Sequence, residues 1–380
     1  YFLKFSLPKP ISSSRLGIRL GIRLGKISGQ ELSMKPNKKR VTISDVSAVL
    51  GITKSTVSRA LNGYPDIAEN TRLRVQRMAE QMGYRPLSQA QAIRTGQSHA
   101  LGLILQVNDH DAHRPFLAEF LAGISYVASQ EGWTLTVASA DSDAATLKAM
   151  RQLVEDRKAD GFILPRALRE DPRVELLREL SVPFVIFGRT RDEAGCAWYD
   201  IAGEDAMRQA VLRLAELGHR RIGFVNGGTR YNYSWLREKG FRQGMADAGL
   251  KVDQTIMIPD AITAITGAAA ARSILSVSDA PTAIVYAVDA AALGVWGVAK
   301  DKGLSIGHDL SVVAYDGTPE GAAASPALSS FAVNIRHAGE RLAHLLIRRI
   351  RGEDPRNLRE VESAEFRSGG SIGPVPSLKT

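Results

Sequence analysis

Lys54, Ser55, Ser58, Arg59 and Asn62 fall along one side of a helical stretch whose opposite side carries Val57 and Leu61, four residues apart. Hydroxyls, an amide, an ammonium and a guanidinium in one stripe are the groups that contact phosphate oxygens and base edges in a major groove. Thr53 stands where a side-chain oxygen caps such a helix, and Thr56 belongs to its first turn. Just upstream, Thr42 and Asp45 are spaced as the cap and first-turn carboxylate of a shorter helix with Val46, Val49 and Leu50 as its apolar stripe. Gly51 supplies the tight turn between the two. A solvated helical hairpin would show the same two stripes, but Glu69 to Met82 follows as a third helix, with Val75, Met78, Ala79 and Met82 spaced to close a three-helix core.

A second set of candidates needs a different scaffold. From Ala100 onward, short apolar runs alternate with amphipathic helical stretches, the pattern of α/β domains with parallel sheets. ALGLILQV (100–107), TLTVASA (134–140), GFILP (161–165), FVIFG (184–188), RIGFV (221–225), AIVYA (283–287) and SVVAYD (311–316) read as strands, with helices over 119–130, 203–217 and 234–248. Ligands of such folds bind beyond the carboxyl ends of the strands. That places Asp109 after the first strand, Arg189 after FVIFG, Asn226 after RIGFV, Asp289 after AIVYA and Asp316 at the end of its own strand as candidate ligand contacts. Trp235 could stack on a ring. Asp109, His110, Asp111 and His113 include metal-donor types, but read as a polar loop at the cleft mouth rather than as a metal site. The sequence holds no G-x-S-x-G, H-E-x-x-H, Walker A or helix-opening G-x-G-x-x-G, so neither an enzyme nor a bound cofactor is expected.

Composition points the same way. At 380 residues with 44% hydrophobic content the chain can bury a large core in two or three domains. Its net charge of +9 is uneven: +5 over residues 1–33, +7 over 34–99 and −3 over the rest. A basic end on a mildly acidic body fits phosphate binding by that end, with strong salt dependence. The single cysteine, Cys196, excludes an intramolecular disulfide and reads as a small core residue. No apolar run approaches the roughly 18 residues of a membrane span, and a cytoplasmic location is expected. Residues 1–33 repeat GIRL and are rich in Arg and Ser, a composition that overlaps with a transit peptide. The reading preferred here is a disordered extension over 1–38, with Met34 as a natural start.

The chain resembles the LacI (lac repressor) family of bacterial transcription regulators, from about Val41 to about Ser371. The resemblance is carried by TVSRALN (56–62), TRLRV (71–75), GYRP (83–86), IRTGQS (93–98), GHRRIGFV (218–225), REKGF (237–241), DLSVVAYD (309–316) and SPALSSF (325–331). It implies a helix-turn-helix head over 39–84, a hinge over 85–99, and a two-lobed, periplasmic-binding-protein-like core of parallel sheets over 100–372, with a tail over 373–380. It also implies Thr42, Thr53, Thr71, Ala90 and Ile93 as further DNA contacts. In the family an apolar hinge side chain wedges into the minor groove, and the resemblance gives that role to Ile93, at a position where leucine is usual. Leu87 and Gln91 replace the family's asparagine and arginine, which puts its hinge-to-phosphate contacts in question; a plain linker is the alternative. Arg237 matches the arginine of the effector motif R-x-x-G-F, and Asp316 matches an acidic residue facing it. Such a pair suits vicinal hydroxyls, since the fork donates and the carboxylate accepts; a surface salt bridge is the alternative role for Arg237. Where sugar-responsive members carry Asn-Asp, this chain has Val288 and Asp289.

The expected function is therefore a ligand-responsive repressor that binds a pseudo-palindromic operator as a homodimer, with a sugar or sugar derivative as effector. A purine is less suited, for want of an aromatic pair after the first strand. The alternative is a solute-binding protein serving a transporter, which would need the lobes but not the head.

Overall fold

The computed structural model describes residues 41–84, 96–106 and 114–375, which form two compact units divided between Pro86 and Leu87. In the first unit, α1 (Ile43–Leu50), α2 (Lys54–Leu61) and α3 (Glu69–Met82) enclose Val46, Val57, Ala60 and Val75. The helix starts follow from their caps. The Asp45 carboxylate accepts from both the backbone N–H and the hydroxyl of Thr42, each at 2.8 Å, and the Thr53 hydroxyl accepts from the Thr56 N–H at 3.1 Å. Gly51 closes α1 at φ +64°, a left-handed turn that costs a glycine nothing. One expected core residue is displaced: Val49 is 59% exposed, and Ser47 turns inward beside Val46, its hydroxyl donating to the Ser44 carbonyl.

The second unit holds two six-stranded sheets. The first lobe orders its strands β11-β5-β4-β3-β1-β2, all parallel, from β1 (Ala100–Gln106), β2 (Thr134–Ala140), β3 (Gly161–Leu164), β4 (Phe184–Phe187), β5 (Ala197–Ile201) and β11 (Arg359–Glu362). The second orders β12-β10-β9-β8-β6-β7, from β6 (Ile222–Val225), β7 (Met257–Ile258), β8 (Ala283–Tyr286), β9 (Ser311–Asp316), β10 (Ser329–Ala332) and β12 (Glu365–Arg367), parallel except for β12. The central strands are unbroken apolar runs because helices cover both faces: GFIL, IGFV and AIVY are buried at every position.

The chain passes between lobes three times. It leaves the first lobe after β5, returns after β10 into the helix over Ile335–Ile350, and crosses again between β11 and β12. After the first-lobe helices α4 (Arg114–Gln130), α5 (Asp143–Glu155) and α6 (Pro172–Glu179), the second lobe holds α7 (Gly203–Glu216) and α8 (Asn232–Asp247), which pack at very close range. A Cβ at Gly240 would stand 1.9 Å from the Glu204 carbonyl oxygen, so only glycine allows the approach that brings the start of α7 against Arg237 on α8.

The sequence reading placed seven strands correctly to within a residue or so and passed over β5, β7, β10, β11 and β12. β7, β11 and β12 lie at sheet edges, β11 reading REVE and β12 EFR, while polar residues interrupt the apolar run in β5 (AWYDI) and β10 (SSFA). The tail expected from residue 373 is tied down as far as the described residues run. The Gly373 carbonyl receives His219 Nε2 at 3.0 Å, and the Val375 N–H donates to the Leu217 carbonyl.

Candidate DNA-reading face and ligand cleft

On α2, Lys54, Ser55 and Arg59 are exposed, with Thr56 and Ser58 half-buried beside them. Val57 and Ala60 are buried on the opposite side, so local packing alone orients the polar stripe outward. Arg59 is not idle: it pairs with Asp66 and its guanidinium lies 5.6 Å from the Tyr64 ring centroid. Asn62 departs from its expected place on that stripe. Its amide donates to the Ser58 carbonyl at 2.6 Å, closing the helix end rather than facing outward. Thr71 is half-buried in the first turn of α3. Ala90, Ile93, the remainder of 85–95, and Asp109 lie outside the described residues.

Between the lobes, a cavity of about 130 Å³ is bordered by Arg166, Phe187, Asp200, Glu204, Arg237 and Asp316, with Tyr233, Tyr315 and aliphatic side chains closing its walls. Engineered cavities of about 150 Å³ hold one benzene-sized ring, so this space suits a single ring or ring-sized part of a ligand. The residues come from strand ends, as the fold rule requires: Arg166 follows β3, Asp200 lies in β5 and Asp316 ends β9.

Arg237 is held in a fixed plane. Its guanidinium lies 4.5 Å from the Tyr233 ring centroid and 3.9 Å from that of Tyr315, and Nη1 donates to the Ala287 carbonyl at 2.6 Å. Asp316 sits at φ +134°, a conformation that strains a non-glycine residue and that sequence does not reveal. Burial pushes its carboxyl up to about 7, with the Arg237 guanidinium acting in the opposite sense.

Four other expected contacts resolve differently. Arg189 does not border the cavity itself; it bridges two residues that do, with Nε on Asp200 at 2.5 Å and Nη2 on Glu204 at 2.6 Å. Asn226 is buried and stitches β6 to α8, donating to the Ser234 carbonyl at 3.0 Å and accepting from the Gly227 N–H. Trp235 faces outward, 46% exposed, with the Arg169 guanidinium over its ring. Asp289 is fully buried, taking the Ser330 hydroxyl at 2.6 Å and the Thr318 N–H and hydroxyl, which fastens the loop after β9. For Asn226 and Asp289 the strand-end rule found polar residues that serve the fold. It could have found Arg166, just past GFILP; Asp200 and Glu204 were missed because β5 was not recognised.

The lobes are also joined around the cavity. Arg230 pairs with Asp143, the Asn232 amide donates to the Arg189 carbonyl at 2.7 Å, and Leu168 forms an antiparallel bridge with Tyr231.

A helix-turn-helix unit joined to a two-lobed core with a polar cavity defines a regulator that reads DNA and senses a small molecule. Matching sequences agree. The model for bacterial regulatory proteins of the lacI family matches residues 42–87, and that for a periplasmic binding protein-like domain matches 211–372. The HTH-type transcriptional regulator AglR of Rhizobium meliloti is 32% identical over 350 residues, spanning 88% of this chain and 95% of its own. RafR of Escherichia coli, another HTH-type transcriptional regulator, is 29% identical over 87% of this chain and 98% of its own. Among solved structures, the complex of the transcriptional regulator CelR with cellobiose superimposes with a TM-score of 0.68 at 28% identity, covering 87% of this chain and 100% of that one. The lac repressor dimer bound to operator and the anti-inducer ONPF shares the fold, with a TM-score of 0.73 at 22% identity over 88% of this chain and 100% of that one. The chain belongs to the LacI family. It is a ligand-responsive transcriptional regulator, and the head that matches the family sets aside the solute-carrier alternative.

Proposed function

We propose that the protein is a cytoplasmic repressor that binds a pseudo-palindromic operator as a homodimer and is controlled by a sugar or sugar derivative. It performs no catalysis in this reading. The observation that carries it is the pairing, at one cavity, of a guanidinium fixed between two tyrosine rings with a carboxyl on the facing strand end. A donor fork and an acceptor at fixed positions bind vicinal hydroxyls, and the aromatic and aliphatic walls take the apolar face of a sugar ring. Support also comes from the relative whose structure holds cellobiose. On the DNA side, Lys54, Ser55 and Arg59 are the proposed base and phosphate contacts, with Thr42, Thr53, Thr56, Ser58 and Thr71 along the backbone and Ala90 and Ile93 at the hinge. Among the described residues no helix is long and apolar enough to cross a membrane.

The test is a thermal-shift screen of the full chain against sugars, sugar derivatives and purines. A ligand at about 100 times its dissociation constant adds about 2.7 kcal/mol of stability. Stabilisation by a saccharide is the expected result, and stabilisation by purines alone would refute the sugar reading.

A further inference from the structure

Two hydrogen-bonding atoms at the cavity have no partner: Oε2 of Glu204 and Nε of Arg237, both buried. Both residues line the cavity, and Arg237 Nε stands 3.0 Å from where a Cβ on Gly203, the residue before Glu204, would be. Other atoms of the two groups are already engaged, Glu204 Oε1 with Arg189 and Arg237 Nη1 with the Ala287 carbonyl. What remains is one acceptor that cannot donate and one donor that cannot accept. Each costs stability while it stays buried and unpaired.

A hydroxyl group answers both, accepting from the guanidinium and donating to the carboxylate. A phosphate or carboxylate oxygen answers only the first. It would also set its charge against Asp200, Glu204 and Asp316, three acids that border the cavity; among the described lining residues Arg166 and Arg237 are the cations, and Arg189 beside the lining is already paired with Asp200 and Glu204. We infer that Glu204 is a specificity residue of the cleft, accepting a hydrogen bond from a ligand hydroxyl and so selecting uncharged polyhydroxylated rings over phosphorylated or acidic sugars. This deepens the sugar reading above and rests on it.

The experiment is calorimetric titration of the full chain with glucose, galactose, lactose and cellobiose, then with glucose phosphate, galactose phosphate and glucuronate, and finally with adenine and hypoxanthine. At least one neutral saccharide should bind, and acidic or phosphorylated counterparts should bind about a hundredfold more weakly. Glu204→Gln should weaken the neutral ligand about tenfold and narrow its advantage over the phosphorylated sugars. Should that variant fold poorly, Glu204→Asp, which keeps the charge but withdraws it, should move affinity in the same direction. A phosphorylated sugar that binds best overturns the inference while leaving the sugar reading intact, as does an unchanged preference in a folded Glu204 variant. Binding by purines and by no saccharide removes both.

Discussion

The two functional regions are built on opposite principles. The reading face of α2 is local: its side chains lie within nine consecutive positions and point outward because Val57 and Ala60 on the same helix point inward. The cleft is assembled from five separate strand ends and helix starts, Arg166, Asp200, Glu204, Arg237 and Asp316 meeting only once both sheets and the α7–α8 contact have formed. A local site tolerates loss of one group and keeps its shape, whereas a site made of distant groups shares its residues with the fold. Arg237 shows this directly, since it is both a ligand donor and the filling between two buried tyrosines.

The sharpest way to break the contrast is at Asp289, which serves the cleft without touching it. Asp289→Ala leaves the Ser330 and Thr318 hydroxyls and the Thr318 N–H without their acceptor, and should cost about 3 kcal/mol of core stability. Chemical denaturation of the full chain, followed by a probe in the core, measures it. A loss under about 1 kcal/mol would mean that the loop after β9 is held by something else. Arg237→Ala comes next: ligand affinity should fall by about a hundredfold, near 2.7 kcal/mol. Core stability should drop as well, since Asp316 loses its compensating cation.

In the head, Arg59→Ala should weaken operator binding by about 1–3 kcal/mol and relax preference at one position per half-site. The core's melting should be unaffected, because the two units are separate. Asp66→Asn gives a smaller effect of opposite sign. Releasing Arg59 from its ion pair should raise affinity a few-fold, most visibly at low salt; unchanged binding would place Arg59 away from the duplex.

These contrasts also explain what was legible in the sequence. The head could be read almost residue by residue because caps, turn and stripes are local rules; the lapses were Val49 and Asn62, where tertiary packing and a helix end decided the side-chain direction. The lobes were visible as apolar runs. Which polar residue beyond a strand turns into the cleft was not, because Asn226 and Asp289 look like Asp316 in sequence and differ only in what the neighbouring loop presents to them. Trp235 turned outward on its helix, while Leu236 and Arg237, one and two positions further on, reach the lining.

Asp316 supplies a gentler test of the cleft. Its folded pKa, about 7, lies above the 3.8 of an ordinary aspartate, so the folded state keeps a proton that the unfolded chain releases. The resulting stability is full below the unfolded value and fades as pH rises through about 7. The ionised form is the stronger acceptor for ligand hydroxyls, so saccharide affinity should move the other way, strengthening about tenfold between roughly pH 6 and 8. Asp316→Asn should bind weakly with little dependence on pH. A flat profile in the parent would take Asp316 out of the ligand contact.

The central claim is that occupancy of the cleft sets the affinity of the head for DNA. It is tested most directly by titrating an operator, selected by the protein itself from random duplexes, at one fixed salt concentration with and without a saturating saccharide found in the screen. The account predicts a change in operator affinity of about 5- to 150-fold, matched by an equal change in saccharide affinity when operator is bound. A saccharide that binds the cleft and leaves operator affinity the same would contradict it.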